Sequence, residues 1–448
     1  MARAPRRADE PEAAPDLTAA PADVAAAELP PEVVAQSLGD YARGWSLRIR
    51  SGESGVLPVI VALVIIAVVF QSISNGLYLT PGNIVNLFQQ SAVFMVLAMA
   101  EGFALILGEI DLSIGYVGAV GAAITVQLVQ PGGSAKWPWW AAIAAGLAFC
   151  TAFGALQGTL ITRLRLPSFI VTLAGFLIGN GLMLIVLLLA FSGFPSLSGS
   201  DVDRVTIYNL MWGAIDPTVS VIAAAAVVVG VGGWIWWSDA RRRRSGLVAP
   251  PPGLSVIKIV LIGVTAAVVV AICNQNRALE PAINEGVPCV IPSVLGVFAA
   301  WTILLTRTRY GRYVYAIGGN PEAARRAGVN LAMVRTVAFA LCALTAGVGM
   351  LLFASYLGGM SNNVNGGSQV LYAVAAAVIG GTSLFGGRGK PLHGLLGGLV
   401  IGAIYNGMYL QSLDVKYQFI VTGLVLLAAV TIDSVSRRGS TSGSVARI

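Results

Sequence analysis

The chain has 448 residues, 56% of them hydrophobic and only 11% charged, with a mean hydropathy of +0.78 and a formal net charge of +7. A soluble domain of this size needs far more polar surface, so the composition excludes one and points to a polytopic membrane protein. The single histidine, His393, also removes histidine-rich metal clusters and Ser-His-Asp catalysis from consideration.

Residues 1–44 read as a disordered cytoplasmic tail. The first forty are rich in Ala and Pro, carry eight acidic residues against three Arg, and contain no apolar run of signal-peptide type. Beyond them, apolar stretches recur at 56–73, 84–107, 116–130, 138–161, 168–190, 218–237, 256–273, 291–306, 335–356, 369–385, 391–410 and 417–433. That predicts an all-α polytopic protein with about twelve transmembrane helices, each near the length a bilayer requires. Alternating these spans from a cytoplasmic N-terminus places all but four of the basic residues beyond position 40 on one side. The exceptions are Lys136, Arg204, Arg277 and Lys416. The positive-inside rule therefore predicts that both termini are cytoplasmic, including a second tail over 436–448. The net positive charge follows from this topology and carries no argument for nucleic acid.

Glu101 lies inside a span, where an ionisable side chain faces a helix bundle or a cavity. Two turns later, Gly108-Glu-Ile-Asp-Leu-Ser-Ile-Gly115 interrupts the apolar pattern. Asp111 or Ser113 can cap the following helix. Equally, a broken helix carrying Glu109, Asp111 and Ser113 can line a translocation route, because irregular backbone at membrane depth survives only in protein or a watery cavity. Cys150, Cys273, Cys289 and Cys342 show no paired spacing. Cys273 and Cys289 can flank one external loop and so form a disulfide, but small apolar packing is the simpler role.

The segment Tyr315-Ala-Ile-Gly-Gly-Asn-Pro-Glu-Ala-Ala-Arg-Arg-Ala-Gly-Val329 spells a short helix complete with its own caps. Asn320 can cap it, Pro321 fits the first position, and Glu322 and Arg325–Arg326 suit the two poles of the dipole. Gly328 can close it in the left-handed conformation. An ordinary loop helix satisfies the same local physics. Further on, Gly386-Gly-Arg-Gly-Lys390 superficially suggests a phosphate loop. It lacks the first Gly, where Leu384 stands, and Pro391 replaces the magnesium-holding hydroxyl. No cofactor site is read anywhere in the chain.

Gly380-Gly-Thr-Ser-Leu-Phe-Gly-Gly387 forms a second break. After it, Gly394, Gly398 and Gly402 recur on one helical face, ahead of Asn406. Such spacing lets helices pack closely in lipid. Phe169-Ile-Val-Thr172 recurs as Phe419-Ile-Val-Thr422, which suggests an internal repeat.

Four segments stand in the same order as in ribose/xylose-type sugar ABC permeases. They are Glu109-Ile-Asp-Leu-Ser-Ile-Gly115, Leu166-Pro-Ser-Phe-Ile-Val-Thr-Leu-Ala-Gly175, Tyr315 to Val329, and Gly380-Gly-Thr-Ser-Leu384. The resemblance covers about 45–435, and an extra middle section, 213–280, makes it most similar to the D-xylose permease subgroup. It implies a ten-helix type II importer core plus an inserted helix pair, in a bacterial inner membrane. It further implies a homodimer, a separate sugar ABC ATP-binding subunit and an extracytoplasmic sugar-binding protein. By the same resemblance, 307–334 is a cytoplasmic coupling loop. Within it Gly319, Asn320, Pro321, Glu322, Ala323, Ala324, Arg325 and Gly328 face the ATPase.

Gln369, Val370 and Tyr372 replace acidic residues usual in the subgroup, and Glu101 stands where the pattern is apolar, which leaves the exact sugar open. Tyr372 can stack on a pyranose while Gln369 or Asn406 bonds hydroxyls, or Tyr372 can anchor its span at the membrane interface. Two other classes compete with an ATP-driven importer of a pentose such as xylose. A proton-coupled secondary transporter of a small polar solute would use Glu101, Glu109 and Asp111 but leaves the capped helix without a role. A membrane-embedded enzyme lacks a cluster of catalytic side chains.

Overall fold

The computed structural model describes residues 56–130, 136–189, 195–246, 249–277, 285–414 and 416–424, with isolated positions elsewhere. Both predicted tails, 1–44 and 436–448, and most of 425–433 lie outside the described residues, apart from single positions. The chain divides into two units. One contains Ala225–Thr265, and the other contains Ser54–Ala224 and Ala266–Ile448.

The larger unit begins with α1 (Leu57–Ile73), α2 (Pro81–Ile106), α3 (Ile114–Leu128), α4 (Trp139–Arg163) and α5 (Ser168–Leu188). A short α6 (Val202–Trp212) and a two-residue strand β1 (Ala214–Ile215) follow. Next come the two helices α7 (Pro217–Arg244) and α8 (Pro252–Cys273), whose distal parts make up the described smaller unit. Strand β2 (Val287–Pro288) pairs antiparallel with β1, joining Ala214 to Pro288 and Ile215 to Val287. The chain continues through α9 (Val290–Arg307), α10 (Arg309–Gly319), α11 (Pro321–Arg326), α12 (Leu331–Leu357), α13 (Gly366–Ile379) and α14 (Pro391–Leu410). Residues 416–424 are helical as well.

Local chemistry sets these boundaries. Proline opens α2, α7, α8, α11 and α14, where its missing N–H costs nothing. Asn320, Asn330 and Asn365 cap α11, α12 and α13 by accepting from the amides of Ala323, Met333 and Ser368. Gly358, at φ +71°, closes α12 in the left-handed conformation.

Among the described residues, seven helices are long and apolar enough to cross a membrane, and α1, α3 and α13 are shorter apolar helices. The expected stretch 369–385 is therefore corrected in length, whereas 116–130 keeps its 15 residues as α3, shifted two positions toward the N-terminus. Helix α3 has 15 residues and α13 has 14, about 21–23 Å each, less than a hydrocarbon core of roughly 30 Å. Helix α13 stops at Ile379 because Gly381 turns to φ +107°. At Gly380 the chain also runs so close to the His393 carbonyl that no side chain fits.

Helix α2 is the centre of the fold, with nearly every residue from Gln89 to Ile106 buried. Two runs of helices repeat one plan around it. The first is long α2, a break, short α3, then α4 and α5. The second is long α12, a break, short α13, then α14 and the helical residues 416–424. The halves exchange partners, so that α3 and α4 pack on α12 while α13 and α14 pack on α2. The two long helices run antiparallel. The Cys342 thiol donates to the Ala100 carbonyl at 3.1 Å, and Gly349, two turns onward, faces Leu97 and Val96. The breaks consequently lie at opposite ends of the bundle, an inverted arrangement suited to transport. The repeated Phe-Ile-Val-Thr segments keep the same aspect, with Phe169, Ile170, Phe419 and Ile420 all exposed.

Glycine makes the close packing of α14 on α2 possible. Gly394, Gly398 and Gly402 stack on Met99, Met95 and Ser91 of the antiparallel α2, at distances that leave no space for a Cβ. Gly154 and Gly158 let α4 approach Phe339 and Thr336 of α12 in the same way. All four cysteines are free.

Candidate coupling site

The capped helix forms as its residues dictate. In α11, the Asn320 side chain accepts from the Ala323 amide at 3.0 Å, and Gly328 takes φ +83°. The Gly328 and Val329 amides donate back to Arg325 and Ala324, closing the C-terminus. Glu322 lies 3.2 Å from Arg325 and 3.6 Å from Arg326, with side chains 54%, 70% and 80% exposed. Only Ala324 faces inward, at 4% exposure. The expected residues Gly319, Asn320, Pro321, Glu322, Ala323, Arg325 and Gly328 form one solvent-facing surface.

The sequence pattern predicts one helix in the loop 307–334. The structure adds α10, capped by Thr308, whose side chain accepts from Gly311. Its Val314 and Ile317 are buried while Arg312 and Tyr313 face outward, a pattern that an apolar-span search passes over. The C-terminal end of α10 rests directly on the end of α2. At Gly318 an added Cβ would overlap the Ile106 carbonyl and approach the Gly387 nitrogen to 2.7 Å.

The Gly387 amide donates to that same Ile106 carbonyl at 2.9 Å. Gly108 (φ +77°), Gly386 (φ +84°) and Gly387 (φ +73°) all take left-handed geometry here. A fourth tie comes from the Tyr315 hydroxyl, which donates to the Gly389 carbonyl at 2.7 Å. The capped segment, the α2–α3 break and the α13–α14 connection thus meet backbone to backbone. The Gly386–Lys390 segment, which looked like a phosphate loop, spends the Gly387 amide on this seam.

A second link joins the same regions. Arg335, in the first turns of α12, lies 3.5 Å from Glu109 in the α2–α3 break. Both side chains are partly buried, at 27% and 14% exposure. Glu109, a pathway candidate, therefore faces the segment that carries α11.

The remaining pathway candidates separate into three places. Glu101 and Asp111 are completely buried, and the Asp111 amide donates to a Glu101 carboxylate oxygen at 3.2 Å. Asp111 in turn accepts from the Ser113 amide at 2.9 Å and hydroxyl at 2.6 Å. The Ser113 hydroxyl also lies 3.0 Å from the Gln157 side-chain oxygen. Of the two expected caps, Asp111 thus satisfies the Ser113 amide just ahead of α3, and the expectation for Ser113 is corrected. Ser113 occupies the N-cap position of α3 but its side chain accepts nothing there, because it is turned toward Asp111 and Gln157.

Asn406 is elsewhere, in a reciprocal amide pair with Asn83 at 2.9 and 3.1 Å, which holds the far end of α14 against α2. Gln369 and Tyr372 lie one turn apart on the buried face of α13. Tyr372 packs edge-on against Phe94 at 5.3 Å, and Phe94 meets Tyr405 at 5.7 Å. Gln90, one turn along α2, donates to the Tyr356 hydroxyl at 3.2 Å. Tyr372 is thus an interior residue and not an anchor at the membrane surface. Gln90, Tyr356 and Tyr405 were missed in the sequence, although a glutamine inside an apolar span is itself a signal. No group of metal-binding side chains occurs among the described residues.

A family model described as branched-chain amino acid transport system / permease component matches residues 83–430. The chain belongs to this permease family. Its curated relatives include sugar permeases. The chain is 31% identical over 393 residues to the xylose transport system permease protein XylH of Escherichia coli (strain K12), covering 88% of this chain and 95% of that one. It is 28% identical over 402 residues to the D-allose transport system permease protein AlsC of the same organism, covering 87% and 98%. The ribose import permease protein RbsC, also of that organism, matches at 27% over 399 residues, covering 88% and 96%. The chain is a sugar ABC permease of the ribose/xylose type. No solved structure matches it.

Proposed function

We propose that this chain is the membrane-spanning subunit of an ATP-driven, binding-protein-dependent importer for a pentose such as xylose. The chain is a transport permease of the bacterial inner membrane, and its likeness to sugar permeases over nearly their whole length supports the cargo class. The observation that carries the mechanism is the glycine seam joining α10 to the Ile106 carbonyl and Gly387. The exposed face of α11 docks a separate ATPase subunit. Closure of the ATPase then pushes α10, and the seam passes that displacement straight to the α2–α3 break and the α13–α14 connection. With no side chain between the backbones, little of the motion is lost to rotamer changes. A second copy of the chain completes the pathway, and a sugar-binding protein delivers cargo on the opposite face. By this reading 307–334 is cytoplasmic, as the distribution of basic residues requires.

Within the bundle, Gln90, Phe94, Tyr356, Gln369, Tyr372 and Tyr405 supply the chemistry that a sugar path uses. Aromatic faces suit apolar C–H surfaces, and amides or phenols suit hydroxyls. Glu101, Asp111 and Ser113 serve as the hydrogen-bonded support of the α2–α3 break rather than as sugar contacts.

Reconstitution of the permease with a candidate ATPase tests the coupling. Glu322→Lys reverses the charge on the docking face without touching the membrane core. The expected result is weaker ATPase association or loss of sugar-stimulated hydrolysis, with insertion unchanged. Normal transport by this variant would reject the docking role of α11. Transport by the wild type driven by a proton gradient without ATP would reject the importer reading itself.

A further inference from the structure

We propose that the Arg241–Arg244 end of α7, with Trp234, Trp236 and Trp237 below it, binds the phosphate headgroups of anionic phospholipids. Helix α7 is apolar from Val219 to Trp237, about 28 Å at the standard rise, which matches a hydrocarbon core of about 30 Å. The three tryptophans, 46–53% exposed, then fall at the boundary where such rings concentrate. The four arginines continue about 6–10 Å past Trp237, the depth of the headgroup layer.

The guanidinium groups are also pre-arranged. Arg241 stacks over the Trp237 ring at 5.4 Å and Arg243 over the Trp236 ring at 5.7 Å. Arg243 further donates to the Pro250 carbonyl at 2.8 Å, which ties it to the connection between α7 and α8. A stacked guanidinium keeps its N–H edge available for bidentate contact with phosphate.

Charge complementarity identifies the occupant. Between Ala225 and Thr265 the chain carries five basic residues and one acid, Asp239. Asp239 accepts from the Ser255 hydroxyl at 2.8 Å, and none of the four arginines meets a carboxylate among the described residues. Lys258, exposed on the second turn of α8, lies level with residues 233–234 of α7, one turn inside Trp237, and its long stem can carry the charge toward the same layer. The pairing of Gly232 with Ile259 and of Val228 with Gly263 sets that antiparallel register. Helices this apolar and this exposed have lipid beside them, so a phosphate at this depth belongs to a phospholipid.

The test uses the full chain in nanodiscs of phosphatidylcholine and phosphatidylglycerol with matched acyl chains, counting retained lipids by native mass spectrometry. Wild type is expected to retain phosphatidylglycerol with a preference on the order of tenfold. Arg242→Gln with Arg244→Gln, which leaves both stacked arginines and the fold in place, is expected to lower that preference severalfold. Replacing all four arginines with Gln is expected to abolish it; if that variant fails to insert, the double variant decides. Equal retention of the two lipids by the wild type overturns the proposal, as does an unchanged preference in the double variant. A preference that emerges only after deletion of the acidic residues 1–40 also overturns it, because the arginines then belong to that segment.

Discussion

The Gly387 amide donates to the Ile106 carbonyl at 2.9 Å, and Gly318 of the neighbouring α10 presses on that same carbonyl. One oxygen at the end of the most buried helix thus receives the α13–α14 connection and abuts the helix that precedes α11. A displacement of α10 is expected to reach the α2–α3 break and the α13–α14 connection together, because no side chain lies between the backbones to absorb it.

Gly318→Val is the direct test of this seam. Its Cβ would occupy the position of the Ile106 carbonyl, and α10 must move off α2 to make space. Overpacking of this kind costs about 1–3 kcal/mol. The expected result in proteoliposomes with the ATPase is a loss of sugar-stimulated hydrolysis together with only the modest fall in melting temperature that such a cost implies. Unchanged coupling would show that the seam transmits nothing.

The Glu109–Arg335 pair is the second tie between the same regions. Being partly buried, it should contribute up to about 1 kcal/mol of coupling in a double-mutant cycle. Arg335→Glu alone is expected to impair transport, and the swap with Glu109→Arg is expected to restore part of it. A swap no better than either single change would assign the two residues to separate roles.

Glu101 is expected to act through the Asp111 amide that it accepts. Glu101→Gln keeps an acceptor there and should change thermal stability little. Glu101→Ala leaves a buried N–H without a partner, a loss of about 1–3 kcal/mol. Thermal unfolding of purified protein in detergent separates the two variants. If both behave alike, the hydrogen bond carries no structural weight.

Outside the membrane, Asp201 caps α6 by accepting from the Asp203 amide and pairs with Lys136. The hydrogen bond from Lys136, followed by the Asp203 amide, holds the Asp201 carboxyl below its ordinary value. A carboxyl depressed in the folded state contributes stability above its unfolded value, near pH 4, and loses that contribution as pH falls through the folded value. Lys136→Met should therefore lower the melting temperature slightly at neutral pH, with the difference from wild type fading below about pH 4. A difference independent of acidity would place the effect of Lys136 elsewhere.

Much of this protein is written locally and could be read without coordinates. Helix α11 is the clearest case, since Asn320, Pro321, Glu322 and Gly328 each take the place in the helix that their own chemistry favours. The membrane class follows from composition for the same reason, because transfer energies sum along a segment whatever its neighbours are. The Gly394–Gly398–Gly402 face announced close packing, although not that α2 was the partner.

What only the tertiary structure decided is which separated segments meet. Glu109 and Arg335 are far apart in sequence, as are Ile106, Gly318 and Gly387, and their encounter depends on the inverted packing of two helical halves. Residue type says that Glu101 must face inward. It does not say that the Asp111 amide is there to receive it. Local propensity acts over a few residues, whereas the site is set by the register of antiparallel helices, and that register is a property of the whole packed bundle.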